Sequence, residues 1–589
     1  MAIPCSPDLR WRLVRVAQGL EAPDLLVRGG RVWNAFTGEV AAADVAVCGD
    51  RIARVGPWDG PVGEGTAVLD ARGLVVVPGY IEPHTHPWPF HNPLALAEAA
   101  VCRGTTCLVY DNLLLYLALG PDRFAELAGA LSRAALGRVF WVARIASQSW
   151  FPEEAEVFGE EPLRRLLERP EVLCTGEMTR WTDFLRPDRA PRLLGRIEDA
   201  RARGRFADGH TAGASARRLP ALAATGIRSC HEAITADEAL ERLRQGLWVL
   251  LRHSSLREDL EALLPVLGRT AFHDRLTLTT DGAKAHQIVR KGLTDHLIRI
   301  ALGAGVPEHT AYALATRNAA AFLGLDQDLG AVAPGRLADL NLLTDLRDPT
   351  PVAVVVAGRV AAREGRLVVP APSASFPWAE AYRGGEPPVP AWGPERFVLP
   401  PHAPNPFPAG RLANAVITRE EPVALEPRGP GLWPAHPEAH VLALTDRTGA
   451  WIGRGVVLGL GDGLRAVAST YTTNAGILVA GRDPEAMAEA LGRVRAMGGG
   501  IAVIGDGEGA REFPFPLAGI QMPGPFEGAA EAASAFQAAM EAGGYAHSDP
   551  NYTLLFLSCD FLPDLRLTRR GWIRIKTDEV LLPAEEGRG

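Results

Sequence analysis

Eight short apolar runs, each followed by a segment with helix-like spacing, organise the chain between residues 75 and 281. The runs lie near residues 75–84, 104–110, 138–145, 172–177, 205–210, 226–231, 248–255 and 276–281. Strands that alternate with helices form parallel sheets. Eight such units over about 250 residues match the size of a closed (β/α)8 barrel. The sequence therefore predicts an α/β protein built on a TIM-like barrel.

Five of these runs end in side chains that can ligate a metal ion. The first carries the pair His84 and His86, whose side chains share one strand face because residues two apart point the same way. The other four runs end at Glu177, His210, His231 and Asp281. Taken singly, each could be a hydrogen-bonded core or loop group. Because the carboxyl ends of barrel strands meet at one face, the six together predict a metal site.

These residues carry a family resemblance. The order HxH, Glu, His, His, Asp after the motif PGYIEPHTH resembles the amidohydrolase superfamily of metal-dependent hydrolases. The motifs TGEM, DGHTAGAS, GIRSCHEAIT and TTDG narrow the resemblance to the adenine deaminase family. The flanking segments LGAVAPGRLADLNLL and ILVAGRDPEAMAEALGRVRAMGGGIAVI are also similar to that family. The resemblance covers residues 23 to 575, apart from a variable middle.

The resemblance implies hydrolytic deamination of adenine to hypoxanthine and ammonia at a site with two divalent metal ions. Mn or Fe is expected, and Zn accepts the same ligands. The implied ligands of one ion are His84, His86 and Asp281, and those of the other are His210 and His231, with Glu177 as the bridge. Asp281 would also take the proton of the attacking hydroxide and pass it to ammonia. Glu232 could relay protons or orient the substrate ring, or could be a solvent-facing carboxylate at a helix start.

Three positions depart from the family pattern and leave the substrate open. Trp88 replaces a glutamate and could stack on a planar heterocycle or pack under a loop. His253 stands where an acidic residue is expected, and could contact the substrate or be a hydrogen-bonded histidine at the barrel mouth. Gly282 replaces the second of two paired acids. Another amino-heterocycle or a cyclic amide is therefore an alternative substrate, and a non-catalytic metal-binding scaffold is an alternative of a different class.

The segments outside the barrel also have readable patterns. We expect an N-terminal extension (1–22), the first part of a small β-domain (23–74), the barrel (75–329), the second part of the β-domain (330–368), a Pro-rich linker (369–411) and a C-terminal α+β domain (412–589). The two β-rich segments are expected to pair, because they flank the barrel and the family pairs them. The C-terminal segment alternates strand-like and helix-like runs, as in the adenine deaminase family.

Composition restricts the classes of partner. The net charge of −8, without a basic run interleaved with aromatic residues, argues against nucleic acid. No apolar run reaches the roughly 18 residues of a membrane helix, and the N-terminus lacks the apolar core of a signal peptide. Seven cysteines without a CxxC motif fit the reduced thiols of a cytoplasmic protein. The expected partner is a small purine-like molecule, and a homodimer is left open.

Overall fold

The computed structural model describes residues 3–87, 90–385, 388–507 and 509–586. Within these ranges the chain is an α/β protein with a β-rich flank domain, a region of parallel strands and helices, and a C-terminal α+β region. Trp88, one of the predicted substrate contacts, lies outside the described residues. Among the helices of these ranges, none combines the length and apolar character that a membrane crossing requires.

The parallel region contains two sheets, of five and three described strands. The first contains Tyr80–Thr85, Thr105–Tyr110, Arg138–Ala143, Val172–Thr175 and Phe206–Ala207, and the second Ser229–Cys230, Trp248–Arg252 and Leu276–Thr279. A parallel bridge between Ala207 and Ile227 joins the two sheets at one edge. At the other edge, Thr279 Oγ1 lies 2.6 Å from Glu82 Oε1 and 2.7 Å from the His84 carbonyl oxygen. Strand order therefore follows the sequence, and the carboxyl ends share one face.

Helices connect these strands and pack against them. The α-helices are Pro93–Cys102, Leu113–Leu119, Pro121–Ala134, Glu154–Val157, Glu160–Leu167, Ala190–Ala202, Leu219–Ala223, Ala236–Arg244, Leu260–Leu263, Ala285–Lys291, Thr294–Gly303, Glu308–Ala315 and Arg317–Leu323; short 3₁₀ helices span Trp181–Leu185 and Leu264–Arg269. Helix Pro121–Ala134 is typical, because it buries Phe124, Leu127 and Leu131, which share one face at a spacing of three or four residues.

The two β-rich flanks pair into one sheet of nine described strands. These are Leu25–Trp33, Val40–Cys48, Arg51–Gly56, Ala67–Asp70, Val75–Pro78, Leu340–Leu343, Ala353–Val356, Arg359–Arg363 and Arg366–Leu367. Helix Pro7–Ala17 packs on this sheet through Leu13 and Val16. The strand predicted at 75–84 is divided, since Val75–Pro78 belongs to this sheet and the parallel region begins at Tyr80. The boundary between the two lies at Gly79, four residues later than predicted.

The C-terminal region contains a second sheet of nine described strands. They are Phe407–Leu412, Thr418–Val423, Ala439–Thr445, Trp451–Leu458, Leu464–Ser469, Ile477–Gly481, Gly500–Gly505, Arg511–Pro514 and Glu585–Glu586. Smaller sheets pair Leu425–Arg428 with Gly431–Pro434, and Leu565–Thr568 with Gly571–Arg574 and Glu579–Pro583. The α-helices of this region are Pro484–Met497, Phe526–Ala542 and Pro550–Phe556.

The described residues of the segment predicted as an extended linker, 369–411, are packed and partly regular. It contains the helices Pro372–Ser375 and Trp378–Ala381 and the 3₁₀ turn Pro394–Arg396. Ser373 Oγ donates a 2.6 Å hydrogen bond to Glu98 on a helix of the parallel region. Residues 407–411, the last of this segment, form the first part of the strand Phe407–Leu412 in the C-terminal sheet. The prediction failed because aromatic residues such as Phe376 and Trp378 give this proline-rich segment an apolar face that packs on the core.

We expect Gly79→Ala to destabilise the protein by about 1–3 kcal/mol through overpacking. A Cβ at Gly79 would lie 2.1 Å from Thr106 Oγ1 and 3.0 Å from Thr106 Cβ. Thr106 is buried and β-branched, so it has little freedom to move aside. Differential scanning calorimetry should show a lower unfolding midpoint, and Thr106→Ala added to Gly79→Ala should recover part of the loss.

Gly195→Ala is the matched control. Gly195 lies on the exposed face of helix Ala190–Ala202, and no atom outside the helix backbone lies within 4 Å of an added methyl group. The same substitution should therefore stabilise the protein by about 0.5–1 kcal/mol. Equal midpoints for the two variants would contradict the close approach of the strands at Gly79.

Candidate active site

The six predicted metal ligands converge at the carboxyl ends of the parallel strands. His84 lies within Tyr80–Thr85, whereas His86, Glu177, His210, His231 and Asp281 each follow the end of a strand by one to three residues. Ligand atoms fall within 4.8 Å of one another in three overlapping groups: His84, His231 and Asp281; His84, His86 and Glu177; and Glu177, His210 and His231. The structure thus brings together every residue that the sequence pattern proposed as a ligand.

Glu177 is one of two carboxylates at the centre of this cluster. Its Oε2 lies 2.8 Å from His210 Nδ1 and 3.2 Å from His231 Nε2. Its Oε1 lies 2.8 Å from Arg144 Nη2, and Arg144 Nε is in turn 2.7 Å from an oxygen of Asp111. Glu177 is only 2% exposed. Burial opposes its ionisation, but Arg144 and His210 outweigh that effect and hold the pKa of the carboxyl well below its usual range.

Asp281 is the second central carboxylate. Its Oδ1 lies 3.3 Å from Nε2 of both His84 and His86, and 3.7 Å from His231 Nε2. Its Oδ2 lies 2.8 Å from Arg252 Nη1. Burial opposes ionisation here too, yet His231 and the other histidines keep the pKa of Asp281 well below its usual range. The backbone φ of 54° is in the left-handed region, where strain in a residue other than glycine often marks a functional site.

This donor set fits divalent metal ions. Nε2 of His84, Nε2 of His231 and Oδ1 of Asp281 are buried and have no hydrogen-bond partner among the described residues. Nδ1 of His84 lies 3.1 Å from Asp208 Oδ2, an arrangement that leaves Nε2 to face the cluster. Burial opposes protonation of His84, yet Asp208 and Asp281 raise its pKa well above the usual value. The cluster therefore favours positive charge, and imidazole and carboxylate ligands suit Mn, Fe or Zn.

Glu232 lies beside the cluster and is held by two arginines. It is buried, so the alternative of a solvent-facing carboxylate is wrong. Its Oε2 lies 2.8 Å from Arg257 Nη1, and its Oε1 accepts a hydrogen bond from Arg252. His210 Nδ1 is 3.8 Å from Oε1. Burial opposes ionisation of Glu232, but Arg252 outweighs it and lowers the pKa to about 2.

Sequence reasoning missed the polar residues that hold the ligands. These are Glu82, Arg144, Asp208 and Arg252. Each lies in or just after one of the apolar runs, so a charged residue at such a position was a signal that could have found them. Glu82 is fully buried and accepts a 2.9 Å hydrogen bond from the Thr280 backbone N–H. Burial raises the pKa of Glu82 to about 7.

A cavity of about 550 Å³ lies above the cluster. Its lining includes His86, Glu177, His210, Glu232, Arg252 and Asp281 from the parallel region, and Val416, Tyr552, Phe556 and Phe561 from the C-terminal region. His253 is not among the lining residues. Because Arg252 points to the cluster and successive strand residues alternate, the next side chain points away, and the His253 ring packs edge-on against His296 with centroids 5.4 Å apart.

Comparisons with known proteins identify relatives of nearly the whole chain. Residues 197–361 match the amidohydrolase family model and residues 415–579 the model of the adenine deaminase C-terminal domain. An adenine deaminase of Deinococcus deserti is 33% identical to this chain over 586 residues. A Halalkalibacterium halodurans protein named "Putative adenine deaminase" is 32% identical over 595 residues. Each match covers 98% of this chain and at least 98% of the relative. A beta-aspartyl dipeptidase structure from Fervidobacterium islandicum AW-1 is 17% identical over 59% of this chain and 98% of its own, with a TM-score of 0.45, which is too distant to bear on function. The chain belongs to the adenine deaminase family of the amidohydrolase superfamily.

Proposed function

We propose that this protein hydrolytically deaminates adenine to hypoxanthine and ammonia. The observation that carries the proposal is the convergence of four histidines and two carboxylates beneath a cavity of about 550 Å³. A cavity of this size accommodates a small heterocycle. Membership of the adenine deaminase family supports adenine as the substrate.

The proposal includes two divalent metal ions, Mn or Fe, with Zn also accepted by this ligand set. One ion would be held by His84, His86 and Asp281 and the other by His210 and His231, with Glu177 between them. When bound, such ions supply Lewis acidity and a water-derived nucleophile at neutral pH. Arg144, 2.8 Å from Glu177 Oε1, keeps this carboxylate ionised and oriented toward the imidazoles.

Asp281 is the proposed general base. Arg252 holds its Oδ2 at 2.8 Å, while its Oδ1 faces the histidines without a hydrogen-bond partner among the described residues. The ionised carboxylate can therefore accept a proton from the attacking water and deliver it to the departing ammonia. Hydrolysis then exchanges the carbon–nitrogen bond of the exocyclic amine for a carbon–oxygen bond.

Glu232 is the proposed orienting group. It lines the cavity and is kept ionised by Arg252 and Arg257, so it can accept a hydrogen bond from an N–H of the substrate. His253 faces away from the cavity, and we do not assign it a role in this proposal.

The proposal extends to architecture and location. We infer that the two parallel sheets close into one (β/α)8 barrel, supported by the Ala207–Ile227 bridge and by the contact between Glu82 and Thr279. All seven cysteines are free. Reduced thiols are typical of the cytoplasm, which supports a cytoplasmic location.

We expect Asp281→Asn to lower the rate of ammonia release from adenine by about 10²–10⁴-fold, because the amide cannot accept the proton. The measurement is ammonia release by protein reconstituted with Mn or Fe. Asp274→Asn is the control, because Asp274 is an exposed acid outside the cavity, and its activity should equal that of the unmodified protein.

The same assay on the unmodified protein distinguishes the candidate functions. Bound metal without ammonia release from adenine would reject adenine and direct the search to other amino-heterocycles and cyclic amides. Bound metal without turnover of any of these compounds would favour the non-catalytic scaffold.

We expect Asp208→Asn to weaken metal binding by about 10–100-fold, because Asp208 orients the imidazole of His84. Competition with a chelator, followed by elemental analysis, measures this affinity. Asp188→Asn, at an exposed position, is the matched control. Equal affinity in the two variants would show that Asp208 does not orient the ligand.

A further inference from the structure

Three aromatic residues of the C-terminal region form an arc over the histidine and carboxylate cluster. Tyr552 and Phe556 are stacked, with centroids 5.5 Å apart and an interplanar angle of 14°. Phe556 meets Phe561 edge-on at 5.9 Å, and Phe561 meets the imidazole of His210 edge-on at 6.1 Å. All three line the cavity. The arc therefore spans the site from the His210 side to Tyr552.

The Tyr552 end of this aromatic arc is fixed to the loop that carries Asp281. Lys284, three residues after Asp281, is 7% exposed. Its Nζ lies 3.5 Å from Asp549 Oδ2 and 3.2 Å from Gln537 Oε1. Oδ1 of Asp549 accepts a 3.2 Å hydrogen bond from the Tyr552 backbone N–H. A continuous set of contacts thus leads from the proposed base to Tyr552.

The Phe561 end is fixed to loops that follow two other strands of the parallel region. Asp560 Oδ2 accepts a 2.7 Å hydrogen bond from the Trp150 backbone N–H and lies 3.5 Å from Arg180 Nη1. Phe561 is the next residue along the chain. Because both ends are anchored by buried polar contacts, the position of the aromatic arc over the cluster is defined.

The hydroxyl group of Tyr552 lies beside the proposed base. A Cβ built on Gly282, the neighbour of Asp281, would lie 3.4 Å from Tyr552 Oη. Tyr552 is only 8% exposed and lines the cavity, and its hydroxyl makes no hydrogen bond with any described residue. A tyrosine hydroxyl is protonated at neutral pH and can donate a hydrogen bond.

We propose that the Tyr552 hydroxyl donates a hydrogen bond to a ring nitrogen of the substrate, while Phe556 and Phe561 pack against the substrate ring. This inference rests on the proposed function and makes Tyr552 a specificity-determining residue supplied by the C-terminal region. An amino-heterocycle suits the aromatic arc because it has a planar face for the aromatic rings and acceptor nitrogens at its edge for the Tyr552 hydroxyl. The C-terminal region thereby completes the binding site.

The first test compares Tyr552→Phe with Tyr471→Phe. Tyr471 is a matched control, because it is buried in the same region, its hydroxyl also has no hydrogen-bond partner among the described residues, and it does not line the cavity. We expect Tyr552→Phe to weaken adenine binding and lower kcat/KM by about 10–100-fold, with metal content and unfolding midpoint unchanged. Tyr471→Phe should leave all four quantities unchanged.

The second test identifies the hydrogen bond itself through 1-deaza-, 3-deaza- and 7-deazaadenine, in each of which a C–H replaces one ring nitrogen. The protein with Tyr552 should bind one analogue about 10–100-fold more weakly than adenine, whereas Tyr552→Phe should bind that analogue and adenine equally. Two results would overturn the inference. One is that Tyr552→Phe binds adenine as tightly as the unmodified protein does. The other is that every analogue loses the same affinity, relative to adenine, in both proteins.

The outcomes separate this inference from the proposed function. Binding of adenine without ammonia release would reject the proposed function alone, since the dissociation constants still decide the role of Tyr552. Failure of the metal-loaded protein to bind any of these purines would reject both.

Discussion

Compensation of buried negative charge at the ends of the parallel strands is the constraint on which the rest of the structure depends. In both Glu177 and Asp281, the two carboxylate oxygens have different partners. One oxygen of each lies 2.8 Å from a guanidinium, that of Arg144 or Arg252, and the other oxygen faces imidazole nitrogens. An unpaired carboxylate at this depth would neutralise itself or destabilise the fold. The arginines therefore keep both groups ionised and direct one oxygen of each to the position where a metal ion would bind.

The His-x-His pair was predictable because strand periodicity is a local property. His84 and His86 share a face whatever strands lie beside them. The pairing of Arg144 with Glu177 was not predictable, because it depends on the register of two neighbouring strands, which no local pattern specifies. His253 shows the same limit within one strand. The apolar run at 248–255 indicated a strand, but not that Arg252 would point to the cluster and His253 away from it.

Strand lengths were less predictable than strand positions. The runs at 205–210 and 226–231 contain strands of only two residues, Phe206–Ala207 and Ser229–Cys230. The first strand ends three residues before His210, whereas the second begins three residues later than predicted and ends just before His231. Both histidines then contact Glu177 from positions that follow a strand. Apolar residues that follow a strand have the same composition whether they pair with a neighbour or pack beneath a loop. Hydrophobicity alone therefore overestimates these two strands.

The aromatic arc could not be predicted from the sequence, because aromatic residues at helix spacing usually belong to a core. Tyr552 and Phe561 lie 271 and 280 residues beyond Asp281 along the chain. Tertiary contacts such as those of Lys284 and Asp560 bring the two regions together. The consequence is a division of roles within one cavity. In the proposed site, the histidines and carboxylates would determine which bond is hydrolysed, whereas the aromatic arc would determine which ring is held over them. Substitutions in the aromatic arc would then change the substrate, while the proposed ligand set, and with it the reaction class, stays the same.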